Sequence, residues 1–327
     1  MQKELFLVLV ILIFPVHADS MIEKINYRGW TDCYKICNNT AEAIIAAESG
    51  GRLMYYSIKG ENIIYENREL DGLKLKDYRD QDFDPDGGRF DWGPEKETRE
   101  IHDMTWMGDY TAEIVDDYTL KVISPDDNSL GIRTIRVFSL DSLSSHLTIR
   151  NTMVNISNRQ TNWFYWSRTL VNKGGTIFLP LNQDSRFRHG WGKYVWGENP
   201  CIELKDPVDQ QLSVIDHTIV YEAKSGQGIK IGTDSDKGWM AYKLDDHLFV
   251  KKYTHFPDKE YSETAGFTSI FYIGNEFVEL EPIGPQAILN PGESHTFEEK
   301  WWLLTCPENV PANRPDQLKR LEKLLDQ

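Results

Sequence analysis

The feature that most constrains this chain is its rhythm. Short runs of alternating or β-branched apolar residues, each closed by Gly, Asn or Asp, recur along almost its whole length. Examples are AEAIIAAESGGRLMYYSIKGENIIYE, SLGIRTIRVFSL, SSHLTIRNTMVNIS, NWFYWSRTLV, GGTIFLPL, GIKIGT and NEFVELEPI. Period-two alternation sends successive side chains to opposite faces of a strand, and the intervening turn residues reverse the chain. The pattern therefore predicts an all-β, antiparallel protein. No long amphipathic helix repeats, and no Gly-rich loop joins a strand to a helix in the manner of a nucleotide fold, so no cofactor is expected. With 327 residues the chain could make one domain or two. No Gly-, Ser- and Pro-rich linker interrupts the rhythm, which favours a single large domain of two facing sheets over residues 19–312.

Both ends depart from that pattern. Leu5 to Phe14, LFLVLVILIF, is a short apolar run followed by Pro15 and the small-residue pattern Val16-His17-Ala18. It is too short to span a membrane and reads as a signal peptide over residues 1–18, which predicts a secreted or periplasmic protein with no membrane span. At the other end, residues 313–327 contain DQLKRLEKLLDQ, where Leu318, Leu321 and either Leu324 or Leu325 make the apolar stripe of a helical tail. Within the body, Asp77 to Gly88, DYRDQDFDPDGG, breaks the strand pattern and is expected to be a solvated loop; its spacing fits no EF-hand.

Charge narrows the partners. Lys and Arg total 36 against 51 Asp and Glu, a net charge of −15, which repels phosphate backbones and argues against nucleic acid. Cys33, Cys37, Cys201 and Cys306 fall in the exported part, where disulfides are permitted. The Cys-x₃-Cys spacing suits neither a redox pair nor a zinc site, and buried thiols are the alternative.

The sharpest chemical feature is NEFVELEPIGP. As a strand it puts Glu279 and Glu281 on one face and Val278 and Leu280 on the other, with Pro282 expected to end it. Two carboxylates sharing a face raise one another's pKa, leaving one able to carry a proton near neutral pH. The histidines are scattered without HxH or HExxH spacing, so no metal is expected. His189 in DSRFRHGWGKYVWG, His102 in REIHDMTWMG and His255 in KKYTHFPDKEY are the candidate proton carriers. Trp92, Trp166 and Trp191 sit in Gly- and charge-flanked segments, where flat rings can cover the apolar face of a sugar.

Five pieces taken together carry a resemblance: NYRGWTDCYKICNNTAEAIIAAESGGRLMYYSIKGENIIYE, GGRFDWGPE, NWFYWSRTLVNKGGTIFLPLN, DKGWMAYKLDDHLFVKKY and FVELEPIGPQAILNPGESHTFEEKWWL. In order and spacing they resemble the DUF4380 family, a branch of the galactose mutarotase-like proteins. The resemblance implies a single antiparallel β-supersandwich whose concave face receives a mono- or oligosaccharide. In aldose mutarotases of this superfamily a histidine acid and a C-terminal glutamate base open the sugar ring, which would make Glu279 or Glu281 the base. Where those enzymes present a histidine in an NHxYFN-like stretch, this chain has NWFYWS, so an acid would come from His102, His189 or His255. Arg52, Arg89, Arg168 and Lys251 could line the groove and favour an acidic sugar, with Glu95 orienting an arginine or bonding hydroxyls. A noncatalytic sugar-binding module and a uronate-directed lyase are the competing readings.

Overall fold

The computed structural model describes residues 21–81, 84–99, 101–261 and 264–306. The proposed signal peptide and C-terminal tail lie outside the described residues. Two antiparallel sheets, of 12 and 10 strands, make up nearly all of the rest. The central run of the larger sheet is Arg52–Ile58, Gly88–Gly93, Thr161–Asn172, Phe277–Leu289, Ser269–Ile273, Ile229–Thr233 and Trp191–Val195, in that spatial order. The smaller sheet centres on His247–Tyr253, Ser294–Thr305, Leu147–Asn155 and Ile132–Leu140.

The two sheets solve the burial problem differently. Ile132–Leu140 alternates buried and half-buried positions without a break, because only one of its faces meets the core. Thr161–Asn172 and Phe277–Leu289 are buried almost continuously, which means that the larger sheet is covered on both faces at its centre. The inner face packs against the smaller sheet through Tyr56, Trp92, Tyr165, Phe249, Phe297 and Trp301. Trp92 Nε1 donates to Thr134 Oγ1 at 3.1 Å in that core. Thr134→Val keeps the shape but strands the indole N–H, and is expected to cost about 1–3 kcal/mol in urea melts.

Several local expectations are corrected. Pro282 does not end its strand: Phe277–Leu289 runs through it, with Pro282 opposite Ser269 and a bulge where Phe164 pairs Gln286 but Trp166 pairs Ile283. Prolines are tolerated where such a bulge interrupts the ladder. The expected Asp-rich loop contains a short helix, Leu75–Gln81, and its Asp86 is buried rather than solvated, accepting from Arg28 at 2.8 Å and Arg52 at 3.1 Å. All four cysteines are free thiols. Cys33 and Cys37 share the strand Trp30–Cys37, so their Cα atoms are about 13 Å apart, beyond the reach of a disulfide. No helix among the described residues is long and apolar enough to cross a membrane.

Candidate functional site

The outer face of the larger sheet carries a buried polar cluster where hydrophobic residues would ordinarily sit. Alternation assigns it. In Gly88–Gly93, Phe90 and Trp92 turn into the core, which sends Arg89 and Asp91 outward. In Thr161–Asn172, Tyr165 faces the core and Trp166 and Arg168 face out; in Phe277–Leu289, Val278 and Leu280 face the core and Glu279 and Glu281 face out. Lys230 joins from Ile229–Thr233.

Register then creates an electrostatic problem that Glu279 resolves. Arg168 and Arg89 are direct cross-strand partners, an unfavourable arrangement for like charges. Glu279 lies between them, accepting from Arg89 Nη2 at 3.0 Å and from Arg168 Nη2 at 3.2 Å. Asp84 accepts from Arg89 Nη1 at 3.2 Å, and Asp91 accepts from Arg168 Nη1 at 3.3 Å. On the far side, Glu281 accepts from Trp166 Nε1 at 2.8 Å and pairs with Lys230 at 3.4 Å. Asp91 also approaches His102 Nδ1, at 3.9 Å. The His102 ring stacks on Trp106, whose ring lies under Arg89. Gly50 permits that approach: at φ +72°, a Cβ there would stand 1.9 Å from the Trp106 carbonyl oxygen.

Burial splits the two glutamates. Desolvation alone would push Glu279 up, but Arg168 and Arg89 more than reverse it and hold its carboxyl below the usual range. Glu281 is also fully buried, and burial pushes it up to about 7, with Lys230 opposing and the neighbouring Glu279 reinforcing. Burial lowers His102, against the pull of Asp91, which favours the neutral ring. The pair of carboxylates thus separates into one fixed anion and one group poised to exchange a proton.

The cluster is also rich in unpaired polar atoms. Arg89 Nε, Arg168 Nε, Asp91 Oδ1, both His102 nitrogens, Trp106 Nε1 and Glu281 Oε1 are buried without a hydrogen-bond partner among the described residues. Each such group costs about 1–3 kcal/mol, and folded proteins seldom concentrate them without a use. The cluster reaches solvent through Asp84, whose side chain is 62% exposed, and through Arg168 and Lys230 at 11% and 9%, whereas Glu281 has none.

Of the residues singled out in the sequence, Glu279, Glu281, His102, Arg89, Trp166 and Arg168 converge here, whereas Trp92, Trp191, Lys251, Arg52, His189 and His255 lie elsewhere. Trp92 and Trp191 are core side chains between the sheets, on the opposite parity from the groove. Lys251 is likewise internal, donating to Ser167 Oγ at 3.1 Å and Thr169 Oγ1 at 2.9 Å and pairing with Glu299 at 3.2 Å. Arg52 is committed to Asp86 and to Ser49. Glu95 opens the short helix Glu95–Thr98 beyond the end of the Arg89 strand. His189 is exposed and pairs with Asp206 at 3.3 Å. His255 stacks on Tyr261 beside an open pocket of about 540 Å³ that includes Arg186 and Asp234. Lys230, Asp91, Asp84 and Trp106 were not singled out, although Asp91 lies two residues from Arg89 and Lys230 is the one charge in GIKIGT.

A separate group could in principle hold a metal: ligand atoms of Glu61, Asp246 and His247 lie within 4.8 Å of one another. Both carboxylates approach His247 Nδ1, at 3.4 and 3.1 Å, an arrangement that an imidazole N–H between two acceptors already explains.

This architecture is a galactose mutarotase-like fold. The fold matches a galactose mutarotase-like protein from Lactobacillus casei with a TM-score of 0.59 and 12% identity, covering 83% of this chain and 100% of that one. It matches a galactose mutarotase related enzyme from Lactobacillus acidophilus with a TM-score of 0.56 and 10% identity, over 84% and 98% of the two chains. A galactose mutarotase-like protein from Clostridium acetobutylicum gives 0.55 and 10%, over 87% and 98%. At such identities the likeness establishes the fold alone. Residues 104–304 match the family described as domain of unknown function DUF4380, and the chain belongs to that family. No curated protein matches the sequence.

Proposed function

We propose that the protein is an exported carbohydrate-binding protein that exchanges protons at the anomeric centre of an aldose, with Glu281 as the proton carrier. The observation that carries this reading is Glu281 itself. It is fully buried, raised to about 7, fixed through one oxygen by Trp166 and Lys230, and left with Oε1 unpaired. Glu281 Oε1 takes the proton of the anomeric hydroxyl as the C1–O5 bond breaks, O5 takes a proton from the protonated form of His102, and both transfers reverse when the ring closes on the other face of C1. His102 is the histidine of this network and supplies the second proton carrier.

The charge arrangement favours a neutral sugar over an acidic one. Arg89, Arg168 and Lys230 are each matched by Asp84, Asp91, Glu279 or Glu281. The atoms left over are a mixture of donors and acceptors, which suits hydroxyl groups. A uronate or a lyase reaction would need a cation without its own carboxylate. A noncatalytic sugar-binding module is the second reading, favoured by one observation: His102 contacts Asp91 and Trp106 and neither glutamate.

Two-dimensional exchange NMR on a panel of neutral aldoses and uronic acids, with and without purified protein, separates these readings. Acceleration of anomer exchange for neutral aldoses is the expected result. Saturable binding without acceleration would replace the enzyme by the binding module, and selective action on uronates would overturn the charge argument.

A further inference from the structure

The open side of the cluster leads onto an aromatic surface that the reaction at Glu281 does not use. Lys230 Nζ stands 5.0 Å from the centre of the Trp166 ring and 5.2 Å from that of Tyr194. Tyr194 belongs to the strand Trp191–Val195, which pairs with Ile229–Thr233 beside Lys230. Trp191 of that strand faces the core, whereas Tyr194 packs with the outer-face group of Trp166, Phe187, Phe267 and Ile270. Trp196, two residues further on, stacks on Tyr194 with centroids 5.7 Å apart and planes at 25°. Lys230 therefore bridges the buried carboxylate and the start of an aromatic row.

Trp196 is the one exposed aromatic side chain among the described residues, at 56% exposure. Nothing in the core needs it there. Its indole Nε1 donates to the Gly228 carbonyl and one ring face rests on Tyr194, so the ring is held in orientation while its other face meets water. A fixed, flat, solvent-facing ring in line with Tyr194 and Lys230 suits the apolar face of a pyranose. Little conformational freedom is lost when a sugar covers it.

We propose that Tyr194 and Trp196 form a second sugar subsite, so that the protein receives the reducing end of a neutral oligosaccharide. The terminal aldose sits at Glu281, and the adjoining unit lies on Trp196. This rests on the assignment of the Glu281 cluster as the aldose site, and the two can fail separately.

The test compares glucose, cellobiose and cellotriose, and galactose with a β-1,4-linked galactobiose, by isothermal titration and by anomer exchange. Wild-type protein is expected to bind the disaccharides about tenfold more tightly than the monosaccharides. Trp196→Ala should lose that increment while changing monosaccharide affinity and exchange less than about twofold, and Trp196→Phe should restore most of it. Disaccharides that bind no better than monosaccharides, or a Trp196→Ala variant that keeps the increment, would overturn the second subsite and leave the Glu281 site standing. Absence of binding to every sugar in the series would remove both.

Discussion

Glu281→Gln is expected to lower anomer exchange by about 10²–10⁴-fold, the range that a positioned proton carrier supplies, and at the same time to make the fold less sensitive to pH. The two effects share one cause. The glutamate is fully buried, and its carboxyl is pushed from the ordinary 4.5 up to about 7. Below about pH 4.5 it holds its proton in both the folded and unfolded chains and contributes no pH slope. Between 4.5 and about 7 the unfolded chain releases that proton while the folded chain keeps it, so stability falls as pH rises through this window. The full loss is about 3 kcal/mol. Glutamine keeps an oxygen to accept from Trp166 Nε1 and has no proton to release. Urea melts of the two proteins at pH 5 and pH 8 should therefore show a larger fall for wild type by about 2–3 kcal/mol. Histidines titrating in the same range cancel in this difference. Equal slopes would show that Glu281 is ionised normally, and exchange surviving in the variant would remove it as the proton carrier.

Much of this arrangement is legible in strand alternation, which also separates residues that enter the core from those that reach the cluster. FVELEP places Glu279 and Glu281 on one face because nothing but period two is needed, and the structure keeps them together. The same rule applied to GRFDWG puts Arg89 and Asp91 on one face and Phe90 and Trp92 on the other. Arg89 and Trp92 cannot both line the groove, and it is Trp92 that enters the core. In HLFVKKY, Lys251 shares parity with Phe249 and Tyr253, both of which pack between the sheets, so its inward position was also implicit. What alternation cannot supply is the pairing of distant strands. Only the register of Gly88–Gly93 against Thr161–Asn172 makes Arg89 and Arg168 neighbours, and only the order of the sheet brings Lys230 to Glu281. Asp86 is harder still: in a run of five aspartates between Asp77 and Asp86, nothing local marks it as the one that neutralises two buried arginines.

Replacing Glu279 is expected to produce the largest loss of stability in the molecule's polar cluster, and with the opposite sign from Glu281. Glu279→Ala leaves Arg89 and Arg168 facing one another across adjacent strands, both buried, with Asp84 and Asp91 able to match only one nitrogen of each. Breaking a buried ion pair by removing one partner costs about 3–5 kcal/mol, because the remaining charge has lost both water and its counterion. Glu279→Gln retains an acceptor for one guanidinium but not the charge, so it should cost less than the alanine variant while still destabilising at pH 8. Glu281→Gln, by contrast, removes a carboxylate that is ionised against the preference of its surroundings at that pH, and should stabilise. Two chemically identical substitutions, two residues apart on one strand, are thus expected to move the urea midpoint in opposite directions. If both destabilise at pH 8, Lys230 and Trp166 hold Glu281 as a structural anion in the manner of Glu279. If both stabilise, the arginines do not depend on Glu279 for their charge balance. Opposite signs are what a site divided into a fixed anion and a transferable proton requires.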